Sequence, residues 1–432
     1  MKKIASYALG CKVNQYESEA IAELFAEKGY EVVSVDDKAD VYIINTCTVT
    51  NFGDKKSRQL IRKVKRQNEN AIVAVVGCYA QTAPEELAAV HGVNLVIGTK
   101  DKSKIVELVE HYQAEQGVQN YVTDIMHERV FEPLEIKKLA NRTRAYLKIQ
   151  DGCSQFCSYC IIPYARGPIR SRQPEDVIAE VKRLAENGFK EVVLTGIHVA
   201  SYGKDLKTIT LTDIIRQVHE VEGIERIRFS SIEPNVVTEE FAAAMAELPK
   251  VCDHFHLSLQ SGCDKTLKEM NRKYDTEKYR QAAALLRKYL PDVAITTDII
   301  VGFPGETEED YQASRAFAEE IGFSKIHVFP YSPKKGTPAA ARKDQLQNAV
   351  KQARSHDLIT VSDRMTDAFL QKHVGKVMPV LFERCVGDDV YEGHTTNYMK
   401  VHARSTKDLS NVIAETKIIS VAEEMAFGEV EA

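Results

Sequence analysis

The sequence predicts an α/β chain built in three units: an open parallel α/β domain, a partial β/α barrel of the TIM type, and a small C-terminal antiparallel β-barrel. Three observations carry that prediction. Near the N-terminus, "IASYALGC", "VYIINTC" and "IVAVVGC" each end an apolar, β-prone run on a cysteine, at Cys11, Cys47 and Cys78. A helix-capable stretch follows each, and spacings of 36 and 31 residues fit one βα unit apiece. Further on, six strand-like runs alternate with helical patterns, as a parallel sheet curling toward a barrel requires. The last stretch holds short strand-like runs punctuated by Gly375, Gly387 and Gly393.

Length and composition agree with several ordinary globular units. A chain of 432 residues exceeds what one core usually serves, and 44% hydrophobic with 28% charged residues is normal for a globular protein. The net charge of −5 gives no global pull toward nucleic acid or anionic membrane, so RNA contact must come from local patches. Nine cysteines, an odd number spread along the chain, argue against a secreted disulfide scaffold and for thiols available as ligands in a reducing compartment. The start, "MKKIASYALGCK", has the outline of a lipoprotein signal, but its apolar run is too short and Ser6 and Tyr7 interrupt it. No run of about 20 apolar residues is present, so no membrane span is expected and the chain reads as cytoplasmic.

The expected units are residues 1–115, a linker over 116–140, a barrel over 141–371 and a terminal unit over 372–432. In an open parallel sheet of the Rossmann or flavodoxin kind, strand carboxyl ends line one crevice where ligands bind. Three cysteines at three such ends can converge there. Taken singly, each would read as a small buried hydrophobe; the repeated position favours a site. The barrel strands are "AYLKIQ", "EVVLTG", "RIRFSSI", "HFHLSLQ", "VAITTDIIVG" and "KIHVFPYS". Pro174 near one helix start and Gly188 just past its end fit helix-end chemistry. A long helix is expected from about 341 to Lys372. Closure of the short strands after it removes exposed edges.

After the first barrel strand comes "DGCSQFCSYC", residues 151–160, with Cys153, Cys157 and Cys160 inside eight positions. A structural zinc site takes four ligands, often as two separated pairs, and no fourth cysteine or histidine lies nearby. Three thiolates in one tight loop can instead hold three irons of a 4Fe–4S cluster and leave the fourth open for a ligand. Zinc stays as the plainer alternative.

Cys-x3-Cys-x2-Cys after the first barrel strand, with Tyr159 before the third cysteine, resembles the radical S-adenosylmethionine (SAM) enzymes. The resemblance implies that the open iron binds SAM and that its reductive cleavage yields a 5′-deoxyadenosyl radical. It also implies SAM contacts from Thr195 and Gly196 in "VVLTGIHV", from Ser258 and Gln260 in "HLSLQSG", and from Asp298 and Gly302 in "TTDIIVGFPGET". Read as residues alone, Gln260 and Asp298 could close strand ends, and Gly302 and Gly305 could be turn glycines.

Three N-terminal cysteines, such a barrel and a small terminal β-barrel together resemble the methylthiotransferases over nearly the whole chain. That resemblance implies a second, auxiliary 4Fe–4S cluster on Cys11, Cys47 and Cys78, and catalysis carried by all six cluster cysteines. It implies SAM as both methyl donor and radical source, a flavodoxin- or ferredoxin-like electron donor, and a sulfur source. "ALGCKVNQYESEAI" and "YARGPIRSR" are similar to the branch that modifies N6-threonylcarbamoyladenosine at position 37 of tRNA; other branches act on isopentenyladenosine in tRNA or on an aspartate of a ribosomal protein. A non-catalytic, metal-bound RNA-binding protein is the competing reading from another class.

Signals for RNA are local. "KKSRQLIRKVKRQ", residues 55–67, holds seven Lys or Arg on a helical pattern following Cys47; it could track phosphates or be a solvated helix face. Arg166, Arg170 and Arg172 could clamp phosphates or the threonyl carboxylate, or make ion pairs on the barrel rim. The terminal unit resembles a TRAM domain, an OB-like RNA-binding module. Its residues 371–432 carry ten acidic and seven basic side chains, so charge lends little support. Lys376, Arg384, Lys400 and Arg404 could form one basic face, and Phe382, Tyr391 and Tyr398 could stack bases or be core. His198 reads as a hydrogen-bonded rim histidine. Cys252, Cys263 and Cys385 read as structural, with Cys263 close to the expected SAM site.

Overall fold

The computed structural model describes residues 1–136 and 143–431. Residues 137–142, where the expected linker gives way to the expected barrel unit, and Ala432 lie outside the described residues.

In the first unit, β1 (Lys3–Ala8), β2 (Val41–Thr46) and β3 (Ile72–Gly77) are parallel neighbours. The short strands Glu31–Val32, Leu95–Val96 and Gln119–Asn120 complete a six-stranded parallel sheet. "VYIINT" is buried along its whole length, and "IVAVVG" nearly so, because helices cover both faces of a parallel sheet. Each strand leads into a helix: α1 (Lys12–Glu27), α2 (Asn51–Gln67) and α3 (Cys78–Thr82). Cys11, Cys47 and Cys78 therefore stand at three adjacent strand ends, as their spacing predicted. Helix α1 serves two cores. Its Ile21 and Phe25 pack on the sheet, while Tyr16 and Ala20 join the core of the barrel.

The barrel has six parallel strands in chain order: β4 (Arg144–Asp151), β5 (Glu191–Gly196), β6 (Arg226–Phe229), β7 (His254–His256), β8 (Ala294–Val301) and β9 (Lys325–Pro330). Between β6 and β7 the ladder thins to the bridges Ile227–Val251 and Ile232–Leu257. Helix α4 (Ile162–Arg166) closes the cysteine loop. The long helix α5 (Asn348–Gln371) starts later than the expected 341. Residues before it are diverted: the Gly305 amide donates to the Asp344 carbonyl at 3.0 Å, and Arg342 pairs with Glu269.

The terminal unit is a closed barrel of β10 (Val377–Gly387), β11 (Val390–Thr395), β12 (Lys400–Arg404), β13 (Val412–Ala422) and β14 (Met425–Val430), in the order β10-β11-β12-β14-β13. It is not wholly antiparallel. Glu423 and Glu424, both with positive φ, turn β13 tightly into β14, which then runs parallel to β12. The run expected over 390–404 breaks into two strands at a turn where the Met399 amide donates to Thr395 Oγ1 at 2.9 Å.

That turn carries Tyr398 into the base of the β/α barrel. Its ring stacks between His254 and His394, with centroids 4.8 Å from each, and the Arg228 and Arg144 guanidiniums lie 4.8 and 5.2 Å from its centroid. Arg226 and Arg228 reach across to the carbonyls of His394, Pro379, Thr396 and Thr395 at 2.7–2.8 Å. Tyr398, still 37% exposed, has its ring taken up by these contacts between units, and Phe382 and Tyr391 are core; none of the three is a free stacking platform. Of the four cations expected on one face, Lys376 pairs with Asp292, and Arg384 and Lys400 share Glu392. Tyr398→Ala should weaken the joint by about 1–3 kcal/mol. Limited proteolysis at the end of α5 should then run faster than in the parent; equal rates would mean that the arginine–carbonyl bonds hold the joint alone.

Candidate active site

The N-terminal triad begins with close packing. Gly10 adopts φ +93°, and a Cβ there would sit 2.6 Å from both Cβ and Sγ of Cys47, so the turn before Cys11 admits only glycine. Asn14, one turn into α1, donates to the carbonyls of Leu9 and Thr46 at 2.8 and 3.1 Å, tying the Cys11 turn to the end of β2. Arg166 arrives from α4 of the other unit. Its Nε donates to Cys78 Sγ at 3.2 Å, and its two terminal nitrogens donate to Asn14 Oδ1 and Glu17 Oε1 at 2.6 Å each. Asn14 and Glu17 are one turn apart on the same face of α1.

Arg166 belongs to a fully buried charge cluster. Glu17 also receives Lys102 at 2.9 Å and Lys148 at 2.7 Å; Lys148 reaches Asp151 at 2.6 Å, and Arg170 lies 3.5 Å from Asp151. Four cations face two carboxylates, and the unbalanced positive charge lies beside Cys78. Burial alone would raise the Glu17 pKa, but Arg166, Lys102 and Lys148 together hold it well below the ordinary carboxylate value. Arg172 pairs with Glu180 and Glu135. Of the roles open to Arg166, Arg170 and Arg172, the structure therefore selects buried ion pairing over a phosphate or carboxylate clamp. All three side chains point inward from the loop and first turn that follow the cysteines.

The loop triad is held by its backbone. The Cys153 amide donates to the Gly167 carbonyl at 3.0 Å and the Cys160 amide to the Cys157 carbonyl at 3.0 Å. Arg272, partnered by Glu233 at 2.8 Å, donates to Cys157 Sγ at 3.2 Å. His198 sits behind it, 3.2 Å from Glu233 and hydrogen-bonded to Ser201. Burial pushes the Cys153 thiol up to about 11; burial and the neighbouring Cys157 sulfur push Cys160 up to about 12. Cys47 likewise rises to about 12 through burial and the nearby Cys78. Ligation by a metal centre reverses that cost by releasing the protons. Among the described residues, no three His, Cys, Asp or Glu side chains gather closely enough to hold one metal ion. The donor set, thiols in threes with one guanidinium N–H on a sulfur of each set, fits iron–sulfur clusters.

A cavity of about 220 Å³ opens beside Cys160, lined by Tyr159, Ile161, Ile162, Gln260, Asp298, Ile300 and Tyr331, with Val49 and Thr50 of the first unit on its rim. Three expected SAM contacts, Tyr159, Gln260 and Asp298, line it. Thr195, Gly196, Ser258 and Gly302 do not: Thr195 is buried in β5, Gly196 packs on Gln150, the Ser258 carbonyl accepts from Tyr274, and the Gly302 amide donates to Glu306. Gln260 holds φ +73°, a strained geometry for a side chain of its kind, while its backbone bridges to Asp298 and Ile300. Sequence reading missed Arg272, Glu17 and Asn14. The 3- and 6-residue offsets of Asn14 and Glu17 from Cys11 were a usable signal; Arg272 had none. Cys252 and Cys263 are buried, Cys263 beside Asp310, and Cys385 is exposed.

Residues 147–318 match the radical SAM superfamily, and residues 3–98 match the family described as "Uncharacterized protein family UPF0004". Threonylcarbamoyladenosine tRNA methylthiotransferase MtaB of Bacillus subtilis is 45% identical over 97% of this chain and 94% of its own length. A tRNA-2-methylthio-N(6)-dimethylallyladenosine synthase of Thermoanaerobacter is 38% identical over 95% of this chain and 88% of its own. Among solved structures, the radical S-adenosylmethionine methyltransferase TsrM of Kitasatospora setae superposes with a TM-score of 0.57 at 16% identity, covering 79% of this chain and 77% of that one, which establishes shared fold alone.

Glu17→Gln should destabilise the protein by about 3–5 kcal/mol, because it leaves buried cations uncompensated. Since the folded-state pKa of Glu17 is depressed, its contribution is complete above the ordinary carboxylate range and is lost as pH falls through the lowered value. Chemical denaturation at several pH values should therefore show the variant's deficit at neutral pH and a shallower acid limb; identical curves would remove Glu17 as the keystone of the cluster.

Proposed function

Because this chain belongs to the MtaB-type tRNA methylthiotransferase family of radical SAM enzymes, we propose that it inserts a methylthio group at C2 of N6-threonylcarbamoyladenosine at position 37 of tRNA. Cys153, Cys157 and Cys160 would hold the 4Fe–4S cluster that binds SAM, and Cys11, Cys47 and Cys78 the auxiliary one. When bound, these groups supply sulfur, methyl and the radical that activates carbon; the chain binds, orients and excludes water.

The observation that carries this reading is the guanidinium pair. One thiol of each triad accepts from a buried arginine, and Arg166 ties the first triad to the barrel that bears the second. Ile161, Ile162, Ile300 and Phe329 give the cavity beside Cys160 an apolar wall, which protects a reactive radical from solvent. Helix α2 starts at the cavity rim, where Asn51 donates to the Pro333 carbonyl at 3.0 Å. Phe52, Lys55, Lys56, Gln59, Arg62 and Arg66 form one exposed stripe along it, suited to an RNA backbone and an unstacked base. The proposal includes the division into residues 1–115, 116–140, 141–371 and 372–432, with the last as a TRAM domain. It also includes Thr195, Gly196, Ser258 and Gly302 as SAM contacts, a flavodoxin- or ferredoxin-like electron donor, a sulfur source and a cytoplasmic setting. No helix among the described residues is long and apolar enough to cross a membrane.

Mass spectrometry of tRNA nucleosides from a strain lacking the gene tests the substrate. Loss of the 2-methylthio form with accumulation of N6-threonylcarbamoyladenosine is expected; loss of the isopentenyl counterpart would instead move the enzyme to that branch. With purified, reconstituted protein, Cys153→Ala should abolish SAM cleavage. Cys11→Ala should still release 5′-deoxyadenosine yet form no methylthio product, and full activity in that variant would overturn the two-cluster reading.

A further inference from the structure

We propose that Lys12 is a specificity-determining residue: its ammonium binds the carboxylate of the threonylcarbamoyl substituent in the barrel lumen. This rests on the substrate reading above and assigns its anionic group a partner. Lys12 follows Cys11 directly and opens α1, which packs across β4 and β5. Its side chain is exposed, and its Nζ stands 5.7 Å from the centroid of the Tyr146 ring of β4. It lies within electrostatic reach of Arg144, Arg228, His254 and His327, and of Glu191, which is itself held by Arg144 and Arg228. The residue therefore borders both the N-terminal cysteine triad and the lumen of the barrel.

Side-chain contacts link that position to the wall of the cavity beside Cys160. His327 is within electrostatic reach of both Lys12 and Asp298, and its ring stacks on His256, with centroids 5.8 Å apart. His256 in turn contacts Asp298 at 3.3 Å, and Asp298 forms part of the cavity wall. On the substrate reading above, a base set between the two triads would carry its substituent toward Lys12.

The charges there are otherwise matched. Arg144 pairs with Glu191 and Glu383; Arg228 pairs with Glu191 and donates to two carbonyls. Arg166, Arg170 and Arg172, the sequence's own candidates for a carboxylate, are buried in ion pairs. Lys12 makes no hydrogen bond or ion pair with any described residue. A carboxylate would neutralise it, whereas an isopentenyl group would desolvate its charge without a partner, so the same residue rewards one substrate and rejects the other.

The test uses anticodon stem–loop RNAs identical except at position 37, which carries N6-threonylcarbamoyladenosine, its methylamide (the carboxylate made neutral), or isopentenyladenosine. Affinities for the cluster-reconstituted parent, Lys12→Gln and Lys12→Arg are read by fluorescence anisotropy at fixed salt without SAM, with iron content and circular dichroism checking the fold. The parent should prefer the carboxylate RNA over its amide by roughly ten- to a hundredfold. Lys12→Gln should erase that preference, and Lys12→Arg should restore part of it. If Lys12→Gln weakens all three RNAs alike, Lys12 holds a backbone phosphate and the proposal falls. It falls equally if the glutamine variant keeps the preference. If the parent itself prefers isopentenyladenosine, the substrate reading fails first, and the proposal fails with it.

Discussion

A buried guanidinium constrains the arrangement on which the rest of this molecule depends. Arg166 comes from the helix that ends the cysteine loop, yet its partners, Cys78, Asn14 and Glu17, all belong to the N-terminal sheet unit. Desolvating an arginine is costly, and it is tolerated here because every side of the fork is met by an acceptor. The consequence is directional. With Lys102 and Lys148 converging on the same glutamate, the two units have one low-energy way to dock, and that way brings the helix after the cysteine loop against Cys78 and Asn14. Helix α1 reinforces it, since Tyr16 donates to the Leu134 carbonyl at 2.5 Å while its ring joins the barrel core.

The same economy recurs at the other end of the barrel. Arg144, Arg226 and Arg228 line its base, and the terminal β-barrel supplies the carbonyls, a glutamate and the Tyr398 ring that complete them. A barrel of six strands leaves one side open; here the first unit covers that side and the third plugs the bottom. Both seams are polar, directional and arginine-rich, so they fix orientation more than they add apolar burial. Between the seams His256 stacks on His327, with centroids 5.8 Å apart, and contacts Asp298 at 3.3 Å, so a string of polar side chains runs through the barrel.

The cavity beside the loop triad, walled by isoleucines, and the cation-bearing space beside the N-terminal triad differ in chemical character. The strained backbone of Gln260 and the apolar pair Ile161 and Ile162 belong to the first; Lys12 belongs to the second. Asp298 touches both spaces.

Much of this was legible in one dimension. Hydrophobic runs ending in cysteine at βα spacing located the N-terminal strands, because a parallel sheet places successive strand ends on one edge. The six barrel strands and the loop triad were readable for the same reason: local pattern decides strand and turn. What the sequence could not supply were partners separated by a hundred residues or more. The inward direction of Arg166, the guanidinium of Arg272 on Cys157, and the lodging of Tyr398 under the barrel all depend on how units dock, and docking is settled by desolvated charge and shape across the seams. The terminal barrel shows the same boundary, since its last strand and its one parallel pairing follow from closure, a property of the whole sheet. The sequence alone determined which elements form and which residues can act as ligands, because those are set by period, spacing and side-chain chemistry. Only the tertiary structure decided which cations remained free, because a charge is spent or unspent according to what folds against it.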